Sequence, residues 1–137
     1  MDKASFSIAN YYFDKIIVDY ELKSDDTYDI SIVPTGFFDP DTKEYELAFD
    51  FKAFTGEDVE SPFLYIHCVG VFVFENVDKL EDIPAFFYKN SIALLFPYLR
   101  AFISTVTIQL NRSPLVLPTL NLSSLEPILK EKTSLKS

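Results

Sequence analysis

One histidine and one cysteine, His67 and Cys68, are the whole supply of imidazole and thiol in this sequence. They are adjacent within an apolar run, Phe63 to Phe74, that reads as a strand. Successive strand side chains point to opposite faces, so the two cannot act as a nucleophile and its base. A structural imidazole and a small buried thiol are the readings that fit. Two nitrogen or sulfur ligands are too few for a zinc centre in one chain. The glycines stand apart at Gly36, Gly56 and Gly70, which removes a phosphate-cradling loop and a dinucleotide fingerprint. Asp39 and Asp41 flank Pro40, but the glycine and terminal glutamate of a calcium loop are missing. The remaining carboxylates sit on polar strand faces, where solvation explains them; a paired-carboxylate hydrolase is disfavoured by that, not excluded. The sequence predicts no enzyme, no metal and no cofactor.

The 137 residues suit one domain with a real core. Phe at 14 and Tyr at 8 are many for such a domain, and either an aromatic core or exposed grooves and interfaces would take them. A net charge of −9 opposes binding to nucleic acid, which needs cations against phosphates, and to anionic membrane surfaces. The start, Met1-Asp2-Lys3, has no basic-plus-apolar signal pattern, and one cysteine suits a reducing compartment. A cytoplasmic protein is expected. The uninterrupted apolar runs are short of a membrane span, so no membrane insertion is expected.

The elements follow from periodicity. Alternation across residues 4–22, as in Ile16/Val18/Tyr20/Leu22, predicts a long or bent strand, and Asp25-Asp26 a turn. Tyr28, Ile30 and Ile32 open a second strand that Pro34 and Gly36 interrupt. Phe37-Phe38-Asp39-Pro40-Asp41 reads as a turn with two aromatics on its shoulder. Tyr45, Leu47, Phe49, Phe51 and Ala53 share one face of a third strand, with Glu44, Glu46, Asp50 and Lys52 on the other. After a turn at Gly56, the run 63–74 is apolar on both faces, as in a central or interface strand. From about Pro84 the spacing turns helical through Leu95, Leu99, Phe102, Ile103, Val106 and Leu110, with Pro97 starting a turn or making a kink. A loop from Asn111 to Pro118, a short helix after Ser123 or Ser124 and a frayed Lys-rich end complete the chain. The fold class expected is α+β: a four-stranded antiparallel sheet, then a long helix and a short C-terminal helix.

Two segments carry a family resemblance. Leu95-Phe96-Pro97-Tyr98-Leu99-Arg100-Ala101-Phe102-Ile103-Ser104 resembles the Leu-Phe-Pro-Tyr-Ala-Arg helix segment of the SecB family of protein-export chaperones. Leu117-Pro118-Thr119-Leu120-Asn121-Leu122-Ser123 is similar to that family's Phe-Pro-Gln-Leu-Asn-Leu-Ala segment, at the same distance downstream. Gly70-Val71-Phe72 resembles its Gly-Ile-Phe in the fourth strand. The resemblance covers most of the chain and implies a single SecB-like chaperone domain over 1–137.

It also implies a homotetramer, a dimer of dimers with helices at the interface, that holds unfolded or nascent polypeptides without ATP in apolar grooves. Preproteins for export are the clients it implies first, and the SecA motor the partner. On that reading Phe37, Phe38, Leu115, Val116 and Leu117 are expected to touch client, with Phe96 and Phe102 as the groove floor or, alternatively, core. Leu95, Leu99, Ile103 and Val106 are expected at the oligomer interface. Export members carry an acidic docking residue for SecA where this chain has Tyr65, and a longer tail where it stops at Ser137. SecB-like members that protect an antitoxin are therefore an alternative. A scaffolding oligomer without chaperone activity, and a small-molecule-binding or hydrolytic domain, are the alternatives from other classes.

Overall fold

The computed structural model describes residues 3–117 and 120–136. Its sheet has five strands, not the four expected: β1 (Ser5–Val18), β2 (Asp29–Asp39), β3 (Glu44–Phe54), β4 (Leu64–Glu75) and β5 (Thr133–Leu135). Their order across the sheet is β1-β4-β3-β2-β5, antiparallel except for the parallel pair β2–β5. Two helices follow β4, α1 (Ala85–Gln109) and α2 (Glu126–Glu131).

The clearest alternation gives the clearest strand. Tyr45, Leu47, Phe49, Phe51 and Ala53 of β3 are all fully buried against the helical layer. β1 is long and bent because its register on β4 shifts between Ile8 and Asn10 and again between Phe13 and Lys15. It ends at Val18, and Tyr20–Leu22 form a 3-10 turn capped by the Asp19 carboxylate rather than more strand. Phe37 and Phe38 belong to β2, not to the turn expected for them. The reversal comes at 40–43, where Lys43 takes a positive φ and donates its N–H to the Asp39 carbonyl.

α1 starts after Pro84 and carries Pro97 on its exposed side, so the missing N–H does not remove a buried bond. Phe87 is its anchor, with ring centroids 4.6 Å from Tyr45 and Phe74 and 4.8 Å from Phe6. Leu95 lies over Gly70, where an added Cβ would meet its methyl groups at 3.0 and 3.1 Å. Leu95, Leu99 and Ile103 are thus buried within the single chain, correcting their expected place between copies. An apolar helical stripe reports only that something covers it, and here it is the chain's own sheet. By length and composition α1 could also cross a membrane, although the short runs predicted no span. One face of α1 nevertheless packs on the sheet.

The end of the chain is the largest correction. Instead of fraying, it returns to the sheet as β5. The Gly36 N–H donates to the Lys132 carbonyl at 3.3 Å and the Lys136 N–H to the Phe38 carbonyl at 2.8 Å. Behind it, the buried Tyr45 hydroxyl donates to Thr133 Oγ1 at 2.6 Å, which donates in turn to the Leu129 carbonyl at 2.7 Å. Three residues of strand have no readable period, so this pairing depends on the distant Gly36 and Tyr45.

Candidate functional site

The groups with most chemical potential lie on the sheet face away from the helices, and they are tied to one another. His67 Nδ1 is 2.5 Å from Asp14 Oδ1, and the Tyr65 hydroxyl donates to Asp50. Burial, then the bond to Asp50, pushes that hydroxyl up to about 12. Cys68 faces the opposite way, fully buried, and burial pushes its thiol up to about 12. The opposed faces expected for His67 and Cys68 are what the strand has. An electrophilic thiol-directed reagent at pH 8 is accordingly expected to leave native Cys68 unmodified and to label it only in denaturant. Rapid labelling of the folded chain would contradict this burial. Among the described residues no three His, Cys, Asp or Glu side chains are placed to hold a metal ion.

The concave apolar site lies at the other side of the sheet. Ile30 and Ile32 of β2 pair with Ala53 and Phe51 of β3, which puts their side chains on the helical face. Opposite them runs Leu120–Leu125. Asn121 shapes this segment: its side-chain oxygen accepts from the Ser123 N–H at 3.3 Å and hydroxyl at 2.5 Å, and its carbonyl accepts from the Ser124 hydroxyl at 2.9 Å. That 3-10 turn, Leu122–Leu125, directs Leu120, Leu122 and Leu125 at β2. Between the walls is an open cavity of about 260 Å³, lined by Ile30, Ile32, Leu120, Asn121, Leu122, Ser124 and Leu125. It offers apolar surface with few polar groups, which suits aliphatic side chains better than bond-making chemistry.

The residues singled out from the sequence divide. Phe37 is 41% exposed, but its register partners Glu46 and Ser134 place it on the polar face, away from the cavity. Phe38 is fully buried and meets Phe74 edge-on at 5.6 Å, so it is core rather than client surface. Leu115 and Leu117 are buried too, whereas Val116 between them is 67% exposed. The loop is held down from within, because the Leu115 N–H donates to Thr107 Oγ1 at 3.0 Å. Phe96 is buried, and Phe102 is half-buried, stacked on Phe13 at 3.9 Å. Val106 is half-buried. None of these lines the cavity. Its residues were within reach of the sequence: Ile30 and Ile32 alternate visibly, and Leu120-Asn121-Leu122 is part of a segment carrying the resemblance. Pro118 and Thr119 of that segment lie outside the described residues.

A second apolar surface runs along the opposite edge. Tyr11 of β1 stacks on Tyr98 of α1 at 4.1 Å with both rings partly exposed, and Ile16 on the same face of β1 is exposed as well, whereas Ile17, paired with Tyr65, is exposed on the polar face. β1 pairs with β4 alone among the described strands, which leaves a strand of 14 residues with an open edge.

The architecture matches a solved structure from Mycobacterium tuberculosis, the SecB-like chaperone Rv1957 in complex with a ChAD peptide from the HigA1 antitoxin. The TM-score is 0.63 over 85% of this chain and 88% of that one, at 20% identity. The fold is SecB-like. The SecB-like α+β arrangement expected from the two sequence segments is therefore present, with β5 as the added strand. A protein of unknown function from Streptococcus agalactiae aligns more loosely, at TM-score 0.45 and 10% identity over 86% of this chain and all of that one. No family model matches the sequence. Uncharacterized protein MJ0357 of Methanocaldococcus jannaschii is 40% identical over 63 residues, 43% of this chain. The chain spans 39% of the length of that relative.

Proposed function

We propose that this protein is an ATP-independent holdase: it binds unfolded polypeptide in the apolar groove between β2 and Leu120–Leu125 and performs no catalysis. The observation that carries the reading is that groove, an open aliphatic cavity beside a sheet edge on a SecB-like fold. Apolar surface gains about 25 cal/mol per Å² when removed from water, whatever the client's sequence. Such a site is suited to many unfolded segments. The exposed Val116 stands as a further contact for client chain.

The protein acts in this reading as a cytoplasmic oligomer, a dimer of dimers. The open β1 edge and the Tyr11, Ile16 and Tyr98 surface are its assembly faces, since a long apolar edge left free would invite aggregation. Several grooves on one particle would then hold one client by avidity.

Between export preproteins and an antitoxin as client, one observation favours the antitoxin: the SecB-like structure that this chain resembles is bound to an antitoxin peptide. Tyr65, tied to Asp50 where export members carry an acid for SecA, also supports that choice. Co-expression with candidate clients distinguishes the two roles. An antitoxin should survive only with this protein present, while export of preproteins should proceed without it.

Leu122→Asp tests the groove. The half-buried leucine is replaced by a charge in the wall, removing about 1.5–3 kcal/mol of apolar burial from each client contact. Roughly tenfold to a hundredfold weaker peptide binding is expected, with suppression of client aggregation lost. Unchanged suppression by a variant with native oligomeric mass and melting temperature would end the assignment.

A further inference from the structure

We propose that Tyr20, Lys23, Phe63, Arg112, Ser113 and Leu115 form a binding site for an organic carboxylate carried on a short apolar or aromatic body. These residues line a cavity of about 220 Å³ and share none of the lining of the groove. The site is separate from the holding function proposed above.

Three distant segments build it, and main-chain bonds fix each of them. α1 stops in a tight reversal at Asn111, which takes a positive φ. The Asn111 N–H donates to the Ile108 carbonyl at 3.0 Å and the Arg112 N–H to the Thr107 carbonyl at 3.2 Å. The bond from the Leu115 N–H to Thr107 Oγ1 then holds the loop that follows. The Tyr20–Leu22 turn is fastened to the start of β4 by the Asp19 N–H, which donates to the Phe63 carbonyl at 2.9 Å. Lys23 closes that turn, its N–H donating to the Tyr20 carbonyl at 3.1 Å.

The side chains form a row of cation, ring, ring and cation. Arg112 lies over the Tyr20 ring at 4.8 Å, Tyr20 meets Phe63 edge-on at 5.3 Å, and the Lys23 ammonium is 5.9 Å from the Phe63 centroid. A guanidinium over a ring spends its face on that contact and keeps its edge N–H donors for another group. Lys23 Nζ donates to the Asp25 carbonyl at 2.9 Å, an uncharged acceptor that leaves further donors on the ammonium. Among the described residues neither cation pairs with a carboxylate, although Asp and Glu number 21 against 12 Lys and Arg. Asp19 and Asp25, close by in sequence, accept the N–H groups of Glu21 and Thr27 instead.

The lining defines the occupant. Two convergent cations and the Ser113 hydroxyl suit an anion, whereas the buried Phe63 and Leu115 offer an apolar wall that a bare ion would leave unused. A carboxylate on a phenyl or branched aliphatic body satisfies both. Such a group arrives either as a free acid or as the last residue of a polypeptide.

The experiment follows amide chemical shifts of the full-length protein. The probes are 3-phenylpropionate, the uncharged 3-phenylpropanol, inorganic phosphate, and a peptide ending in phenylalanine with a free or an amidated terminus. The acid is expected to shift Lys23, Phe63 and Arg112 and to bind about tenfold or more tightly than the alcohol or phosphate. Arg112→Gln and Lys23→Gln should each remove most of that preference at an unchanged melting temperature. Tighter binding of the free-ended peptide than of its amide would assign the site to chain ends, and no difference would assign it to free acids. No binding of 3-phenylpropionate, equal binding of acid and alcohol, phosphate binding as tightly as the acid, or a preference that survives both substitutions would overturn the proposal and leave the holding function untouched.

Discussion

Phe87→Ala is expected to cost about 3–5 kcal/mol of folding stability, a large share of the roughly 5–15 kcal/mol that holds a domain together. Phe87 is fully buried, and its ring meets Phe6 of β1, Tyr45 of β3 and Phe72 and Phe74 of β4. Most of these contacts are edge-on, each adding about 0.5–1.5 kcal/mol beyond buried area. The neighbours stand on three hydrogen-bonded strands, so they cannot close over the space a phenyl group leaves. Urea unfolding of Phe87→Ala and Phe87→Leu gives the check. Alanine should approach the upper figure and leucine should retain much of the stability. A loss below about 1 kcal/mol for alanine would mean that α1 is not anchored at this point.

Gly36→Ala should be nearly as damaging, for the opposite reason. A Cβ there would fall on the Tyr45 ring, 2.5 Å from Cζ and closer still to the hydroxyl, and 3.0 Å from Thr133 Oγ1. Tyr45 has nowhere to go, because it is fully buried and its hydroxyl is bonded to Thr133. Overpacking of this kind costs about 1–3 kcal/mol, and losing the hydroxyl pair adds about 1 kcal/mol. Faster amide exchange at Gly36 and Lys136 is expected, since both bonds tie β5 to β2. In a Tyr45→Phe background the cost should fall, because the nearest obstructing atom is gone. Equal costs in both backgrounds would show that Gly36 is not the contact that seats β5.

Legibility differed between elements for identifiable reasons. β3 could be read residue by residue, because Tyr45 to Ala53 alternate against Glu44, Glu46, Asp50 and Lys52 without interruption. α1 was legible from Pro84 onward, but what its stripe covers was not: Leu95, Leu99 and Ile103 look the same whether they meet a sheet or another subunit. Phe37 and Phe38 show the same limit at closer range. Adjacent and chemically identical, they fall on opposite faces of β2, one exposed and one buried. The groove was half legible. Ile30 and Ile32 were visible as one strand face, and Leu120-Asn121-Leu122 belonged to a segment with a family resemblance, but nothing in either segment indicates that they face each other.

His67 and Cys68 mark the division most plainly. Their adjacency in a strand was enough to place them on opposite faces, as the structure has them, because the alternation of side chains is a property of the local backbone. The same local rules yielded the four long strands and the long helix. Tertiary structure decided the rest: the return of the tail as β5, the burial of Phe38 and Leu95, and the meeting of Ile30 and Ile32 with the leucine wall. Those features depend on which distant segments meet, as Gly36 meets Lys132 and Tyr45 meets Thr133. Periodicity along a chain records the face a residue takes, whereas the partner of that face is set only when the chain closes on itself.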